Sequence, residues 1–304
     1  MIHEPTSPRV LIIILCYNGI NDTIACLHSL QNTVEPHADI LIVDNASADG
    51  TLEQIRMHFP GVALIETGAN LGFAAGNNVG VQYALQHQYD YTLLLNNDTE
   101  VSPDFLERLL AVIESDPSIG VVGPTIYYHE RPDLIWSAGG SIDWINGRTS
   151  MRTSDVELGH PPMPNDVAFV TGCALLVRCS AIVHAGMLDE RFFMYFEEAE
   201  WCVRIARTGL RIVHVPDSRI LHKIPLNARA DKEYLAYYMT RNRLLFLQLT
   251  GASPISWANA LVEDMRTLLS LSIRPKWRAR AGRTGMRMAL RDYWRGRFGM
   301  MPHQ

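Results

Sequence analysis

Tyr91-Thr92-Leu93-Leu94-Leu95-Asn96-Asn97-Asp98-Thr99-Glu100 is the stretch whose reading decides the fold. Leu93–Leu95 is an apolar run suited to a buried strand, and carboxamides and one acid follow at its C-terminal end. Open α/β sheets bind their ligands at that end of their strands. A second acidic cluster, Phe196-Glu197-Glu198-Ala199-Glu200-Trp201, lies about a hundred residues on. One acid near a metal and another poised as a base is a minimal set for group transfer.

Working outward, Val10–Cys16 is a continuous apolar, largely β-branched run, which predicts a buried parallel strand. Helical spacing over Asp22–Gln31, a strand Asp39–Val43, a short helix Gly50–Phe59 and a strand Val62–Glu66 follow. Asn70–Asn78 reads as a Gly- and Asn-rich loop feeding a helix Val79–Gln88, then comes the strand Tyr91–Leu95. This order predicts a doubly wound, mostly parallel α/β sheet. After Pro103 the pattern gives a helix Asp104–Ser115 and a strand Gly120–Tyr127. The polar stretch Arg131–Asn165 predicts hairpins and loops over the site. Val167–Val177 resumes β character, Ser180–Ala185 and Glu197–Thr208 read as helices, and Arg211–Val215 and Ile220–His222 read as closing strands. From Lys232 the chain is helical over Tyr234–Leu249, Pro254–Ser270 and Lys276–Arg297. The predicted division is a catalytic domain over 1–225, with its boundary near Pro225, and a helical C-terminal region over 226–304.

The 304 residues suffice for a full core, and 47% hydrophobic with 19% charged residues is a globular balance. A formal net charge of −5 gives the whole chain no polyanion-binding signature, so nucleic acid is not an expected partner. Arg274, Lys276, Arg278, Arg280, Arg283, Arg287, Arg291, Arg295 and Arg297 nevertheless concentrate positive charge in the tail against one acid, Asp292. The five cysteines form no CxxC pair and no metal spacing, which reads as reduced core thiols and a cytoplasmic protein. Met1–Pro8 is polar, and Val10–Leu15 is too short for a signal core or a membrane span.

Asp44 ends a strand at a turn. It reads either as an Asx-turn or helix cap, or as a carboxylate that accepts the imide N–H of uracil or thymine. In Asn70–Asn78 glycines allow close backbone approach, and carboxamides can read a base or ribose. Asp98 is the best metal candidate. Mg²⁺ and Mn²⁺ prefer oxygen ligands, and a nucleotide diphosphate supplies several of them. Glu100 is a candidate assistant and His222 a candidate further ligand. Glu197, Glu198 and Glu200 crowd a helix start behind the apolar wall Phe192–Phe196. Desolvation and like charge both raise a carboxylate pKa towards the range of a general base.

With these residues in hand, the chain resembles the inverting family 2 glycosyltransferases of the GT-A fold, and within them the bacterial rhamnosyltransferase-like branch. Matching stretches run in order from Tyr17-Asn18-Gly19 through Val43–Ser47, Asn70–Asn78, Leu95–Thr99, Thr171–Ala174, Leu188–Glu190, Phe192–Trp201 and His222-Lys223 to Arg241-Asn242-Arg243, covering about residues 9–246. The resemblance implies an enzyme that moves a sugar from a nucleotide diphosphate to a saccharide hydroxyl in cell-surface polysaccharide assembly. It implies donor contacts from Tyr17, Asn18, Asp44, Asn70, Gly76, Asn78, Asn97 and Asp98, and a divalent cation, Mg²⁺ or Mn²⁺, held by Asp98 and His222. Glu198 would be the base, and Gly172, Glu200 and Trp201 would line the acceptor pocket. The motif departs from the family in using glutamate where aspartate is usual for the base, with Glu197 or Glu200 as substitutes, and in carrying one acid in Asn96-Asn97-Asp98. dTDP-rhamnose is the donor favoured by the branch, with UDP-sugars left open because Asp44 can pair with either base.

The basic tail carries interleaved Trp277, Met286, Met288, Leu290, Tyr293 and Trp294. It reads either as a helix packed on the domain or as an interfacial helix for anionic lipid, at the inner face of the membrane, fitting a polyprenyl-linked acceptor. Two competitors have their own markers. A binding module without turnover is disfavoured by the acid set Asp98, Glu198 and Glu200. A nucleotidyltransferase is disfavoured because Val10–Asn21 has no lysine or arginine for a triphosphate. Acceptor identity, linkage and oligomeric state, homo-oligomer included, stay open at this level.

Overall fold

Alternation along the first strand organises the molecule. In the computed structural model, which describes residues 7–33, 38–153, 163–226, 232–273 and 276–302, with backbone alone for 276–280, β1 (Val10–Cys16) sends Leu11 and Ile13 into one core and Val10, Ile12 and Ile14 into the other. A strand buried on both faces explains why its sequence is a continuous apolar run. Helices α1 (Ile20–Gln31), α2 (Thr51–His58) and α3 (Gly72–Gln86) alternate with β2 (Ala38–Asp44), β3 (Ala63–Glu66) and β4 (Tyr91–Asn96). These strands lie in the order β3-β2-β1-β4, all parallel.

Beyond β4 the sheet continues through β11 (Ala174–Arg178), which runs antiparallel to both β4 and β6 (Ile119–Tyr128). The next strand, β12 (Arg211–His222), is parallel to β6. All main strands except β11 therefore share one direction and deliver their C-terminal ends to one edge. Short strands β5 (Thr99–Val101) and β10 (Asn165–Asp166) pair with β12, and β7 (Ile135–Ser137) with β6. A separate hairpin joins β8 (Gly140–Asp143) to β9 (Arg148–Met151). Helices α4 (Phe105–Ser115), α5 (Cys179–Ala185) and α6 (Glu197–Ala206) complete the sheet's cover, and α7 (Glu233–Leu249), α8 (Pro254–Ile273) and α9 (Lys276–Trp294) follow.

Three expectations change. The Asn70–Asn78 stretch is not a loop, because α3 already begins at Gly72. A Cβ on Gly76 would stand 2.6 Å from Leu15, and one on Gly80 2.6 Å from Ile13. These glycines form a small-residue face that lets α3 press on β1, so packing overrides their weak helix propensity. The two predicted closing strands are one strand, bulged between Val215 and Arg219 where Pro216 cannot donate to the ladder. The β character expected from Val167 becomes a regular strand only at Ala174.

The C-terminal helices are fastened to the rest. A Cβ on Gly285 of α9 would lie 2.3 Å from the Glu233 carbonyl of α7, so the two helices touch backbone to backbone. Asp292 is fully buried and accepts from Tyr237 Oη at 3.1 Å. The packed reading of the tail therefore holds for 281–294, while the side chains of Lys276, Trp277, Arg278 and Arg280, and all of Arg274, lie outside the described residues. So does 154–162 of the polar stretch. Hairpin β8–β9 rests on α8 through Asn259 Nδ2, which donates to the Ile145 carbonyl at 3.0 Å, and through the Arg148–Glu263 ion pair. All five cysteines are free and buried.

Candidate active site

Parallel β1, β2 and β4 end side by side, so the polar residues that follow them meet. Tyr17 is exposed just past β1. Asn18 takes a left-handed backbone, φ 60°, which a carboxamide tolerates. Its N–H donates to Ser47 Oγ at 2.8 Å and its Oδ1 accepts from Ala48 N–H at 2.9 Å. Asn97 Nδ2 donates to Thr23 Oγ1 at 2.9 Å and reaches the Asn18 carbonyl at 3.5 Å. Asp44 is fully buried, and its Oδ2 accepts from Ser47 N–H at 3.0 Å, the Asx-turn of the simpler reading. Asn45, which sequence reasoning assigned no role, donates to the Gly72 carbonyl at 2.9 Å and ties the end of β2 to the start of α3. Asn70 caps that start, accepting from Gly72 N–H at 2.9 Å.

Two residues assigned to the donor face elsewhere. Gly76 is in contact with Leu15 and Asn45 on the buried side of α3. Asn78 spends its amide on the backbone of Leu188, donating to the carbonyl at 2.9 Å and accepting from the N–H at 3.1 Å. Both hold the fold together.

At the end of β4, Asp98 meets His222 from the end of β12, with His222 Nε2 3.1 Å from Asp98 Oδ1. The contact has ion-pair distance without hydrogen-bond alignment, and Asp98 Oδ1 and His222 Nδ1 are both buried without a hydrogen-bond partner. Burial alone would raise Asp98, but pairing with His222 holds it below its ordinary range. Burial likewise opposes the imidazolium, yet Cys173 and Asp98 lift His222 to about 10. Trp136 of β7 covers the imidazole edge-on at 4.5 Å, a contact the sequence did not signal. Glu100 does not join the pair. It binds Lys223 Nζ at 3.0 Å and His129 at 3.3 Å instead. Among the described residues no three His, Cys, Asp or Glu side chains converge as a metal cage. His222 Nε2 and Asp98 Oδ1, 3.1 Å apart, fit a divalent ion that displaces the imidazolium proton and takes its other ligands from a diphosphate.

The second acidic cluster is presented by a strained segment. Phe193, Tyr195 and Phe196 all have positive φ, between 68° and 75°, which costs energy for side chains of this size. Two adjacent residues of α7 hold the segment in place. Asn242 Nδ2 donates to the carbonyls of Phe192, Met194 and Tyr195 at 2.7–2.9 Å, and Arg241 Nη2 donates to the Phe192 carbonyl at 2.8 Å. The Phe193 carbonyl in turn accepts from Phe73 N–H at 2.6 Å, capping the start of α3. Arg241-Asn242 was legible as a motif, but its clamping role was not.

Immediately after this segment, Glu197 and Glu198 each carry a buried Oε2 with no partner. Burial, then the neighbouring Glu198 charge, pushes Glu197 well above the usual carboxylate range. Burial also raises Glu198, against the pull of the α6 N-terminal N–H groups. Glu197 is only 4% exposed, whereas Glu198 is half-buried and borders Gly172, where a Cβ would lie 3.7 Å from its own. That Cβ would also lie 2.7 Å from Phe73, so Gly172 leaves room between the start of α3 and Glu198.

Glu200 and Trp201 do not line a pocket. Glu200 is 3% exposed and chelates Arg204, with Nε at 2.8 Å from Oε1 and Nη2 at 2.7 Å from Oε2. Trp201 is fully buried and donates to the Gly186 carbonyl at 2.7 Å. The i,i+4 spacing of Glu200 and Arg204 was the signal available for this.

A strand-end carboxylate paired with histidine and a desolvated glutamate on the same α/β sheet form an arrangement suited to group transfer. Residues 11–182 match the family described as Glycosyl transferase family 2, and the chain belongs to that family. It is 30% identical over 217 residues to an N-acetylglucosaminyl-diphospho-decaprenol L-rhamnosyltransferase of Mycobacterium tuberculosis, covering 64% of this chain and 70% of the relative. It is 23% identical to the dTDP-rhamnosyl transferase RfbF of Shigella flexneri, covering 70% and 72%. Among solved structures, the mannosyltransferase PcManGT of Pyrobaculum calidifontis, in complex with GDP-Man and Mn²⁺, shares the fold. Its TM-score is 0.60 at 15% identity, over 95% of this chain and 88% of that one. The chain is thus a GT-A glycosyltransferase with relatives in polysaccharide biosynthesis.

Proposed function

We propose that this chain is an inverting, divalent-cation-dependent rhamnosyltransferase that uses dTDP-rhamnose and a lipid-linked saccharide in cell-surface polysaccharide assembly. The observation that carries the transfer chemistry is the unpartnered Oε2 of Glu198 beside Gly172. Glu198, its pKa raised by burial, accepts the proton of an acceptor hydroxyl. As that oxygen bonds to the anomeric carbon, the bond to the nucleoside diphosphate breaks on the opposite face, which inverts configuration. Asp98 and His222 would hold Mg²⁺ or Mn²⁺, whose chemistry is to neutralise charge developing on the leaving diphosphate. Tyr17, Asn18, Asn70 and Asn97 border the nucleotide. Asp44 supports that border through its Asx-turn, and its buried carboxylate is the candidate partner for the base. Donor identity rests on the named relatives, and a UDP-sugar donor would leave the mechanism unchanged.

Membrane contact is part of this reading. Ile255, Val262, Met265, Leu269 and Ile273 are exposed on α8 at helical spacing, a row about 27 Å long that runs into the basic segment after Ile273. Such a row suits peripheral contact with anionic lipid at the cytoplasmic face. Among the described residues no helix is long and apolar enough to cross a membrane.

Thermal shifts with dTDP, UDP, GDP, CDP and their common sugars, with Mn²⁺ or EDTA, test the donor, since a bound ligand stabilises the native state by mass action. A Mn²⁺-dependent shift with dTDP-rhamnose is expected. A shift confined to UDP species would discard rhamnose, and no shift with any of them would contradict the donor site.

A further inference from the structure

A cavity of ≈ 430 Å³ borders α6 and ≈ 470 Å³ of open space lies among the C-terminal helices, and the second carries polar atoms that nothing satisfies. It is lined by Thr240 and Arg243 of α7, Asp264 and Thr267 of α8, Met286 of α9, and Phe196. Each helix contributes residues at three- or four-residue spacing, so the space lies along helix faces beside the α7–α9 contact at Gly285. Its volume is that of a small-molecule site.

The chemistry of the walls restricts the ligand. Arg243 binds Glu263 at 3.0 Å and Asp264 at 2.5 Å, and Arg148 binds Glu263 as well. Two guanidinium groups meet two carboxylates, so the cavity has no strong net charge to offer a phosphate. Arg243 is 8% and Asp264 5% exposed, yet Arg243 Nε and Asp264 Oδ2 have no hydrogen-bond partner. A buried donor and a buried acceptor left open are costly unless a ligand completes them. A hydroxyl both donates and accepts, so neighbouring hydroxyls of a sugar can satisfy both. Thr240 and Thr267 add further hydroxyls, and Phe196 offers a ring to the apolar face of a pyranose. Phe196 is also two residues before Glu198, on the strained segment that presents the base.

We infer that this cavity binds the carbohydrate of the acceptor, with Arg243 Nε donating to one hydroxyl and Asp264 Oδ2 accepting from another. The inference rests on the proposed transferase reading and replaces Glu200 and Trp201 as the acceptor contacts. It places acceptor choice in the C-terminal helices, while the strand ends keep the nucleotide.

Transfer from dTDP-rhamnose and UDP-sugars to N-acetylglucosaminyl diphosphate carrying a short polyprenyl chain is the test, in the full-length chain. Thr267 is exposed, so Thr267→Trp can fill the space without entering the core. It is expected to raise the acceptor KM about tenfold or more while the nucleotide-induced thermal shift stays as in the wild type. Asp264→Asn, which keeps shape but removes the charged acceptor, is expected to raise the same KM by a smaller factor. Both variants giving wild-type acceptor KM would overturn the cavity and leave the transferase reading standing. No transfer by the wild-type chain from any donor would overturn that reading, and this inference with it.

Discussion

The strand ends of β1 and β2 and the pair of sites at Asp98 and Glu198 are equally polar, but they treat their polar atoms in opposite ways. At the first, Asn18, Asp44 and Asn45 are bonded to the chain itself, and the loops they tie form a finished surface. At the second, Asp98 Oδ1, His222 Nδ1, Glu197 Oε2 and Glu198 Oε2 are buried with nothing to bond. Folding selects against such atoms, so on the proposed reading their concentration is where substrate and cation would complete the structure. The strained backbone at Phe193, Tyr195 and Phe196 falls on the same side. On the proposed reading the satisfied polar residues build the site, and Asp98 and Glu198 act in it.

Substitutions can break that contrast. The largest expected effect after the base itself is at Asp98. Asp98→Ala should cut kcat about 10³-fold and abolish the Mn²⁺ dependence of the nucleotide thermal shift, and a metal-dependent shift that survives would remove Asp98 from the metal. Glu200→Gln should act on stability instead. Breaking its buried pair with Arg204 should cost about 3 kcal/mol in denaturant unfolding with acceptor KM unchanged, and a KM effect without loss of stability would return Glu200 to the acceptor site. Asn242→Ala frees three carbonyls of the strained segment. About 2 kcal/mol of stability should be lost, together with a fall in kcat larger than any change in nucleotide binding. Wild-type kcat in a folded Asn242→Ala protein would show that the clamp does not position Glu198.

The smallest effect is electrostatic. A carboxyl whose pKa is raised on folding keeps its proton when the unfolded chain has lost it, so stability falls as pH rises from about 4.3 towards the folded pKa. Glu197→Gln removes its share of that slope. Its Tm should match the wild type near pH 4 and exceed it at pH 8, and a lower Tm at pH 8 would mean that the Glu197 carboxylate is stabilised by something other than its present surroundings.

The strand ends were readable because one rule covers them: apolar runs such as Val10–Cys16 and Tyr91–Leu95 stop at polar residues, and parallel topology collects the stops. The start of α3 was not readable. Gly72 and Gly76 look like a loop until Phe193 and β1 are brought against them. Glu200 and Trp201 carried the right chemistry for an acceptor pocket, and only the fold shows that Arg204 and the Gly186 carbonyl already use them. Arg243 and Asp264 lie about twenty residues apart on two helices, and no local pattern announces that they share a cavity.

The account stands most directly on the turnover of Glu198→Gln, measured with saturating donor, Mn²⁺ and the short polyprenyl acceptor. The carboxamide keeps size and shape but cannot accept the proton, so kcat should fall by about 10²–10⁴ while the nucleotide thermal shift is retained. A kcat close to that of the wild type would contradict the assignment of Glu198 as the base, and with it the claim that the unsatisfied carboxylate marks the chemistry.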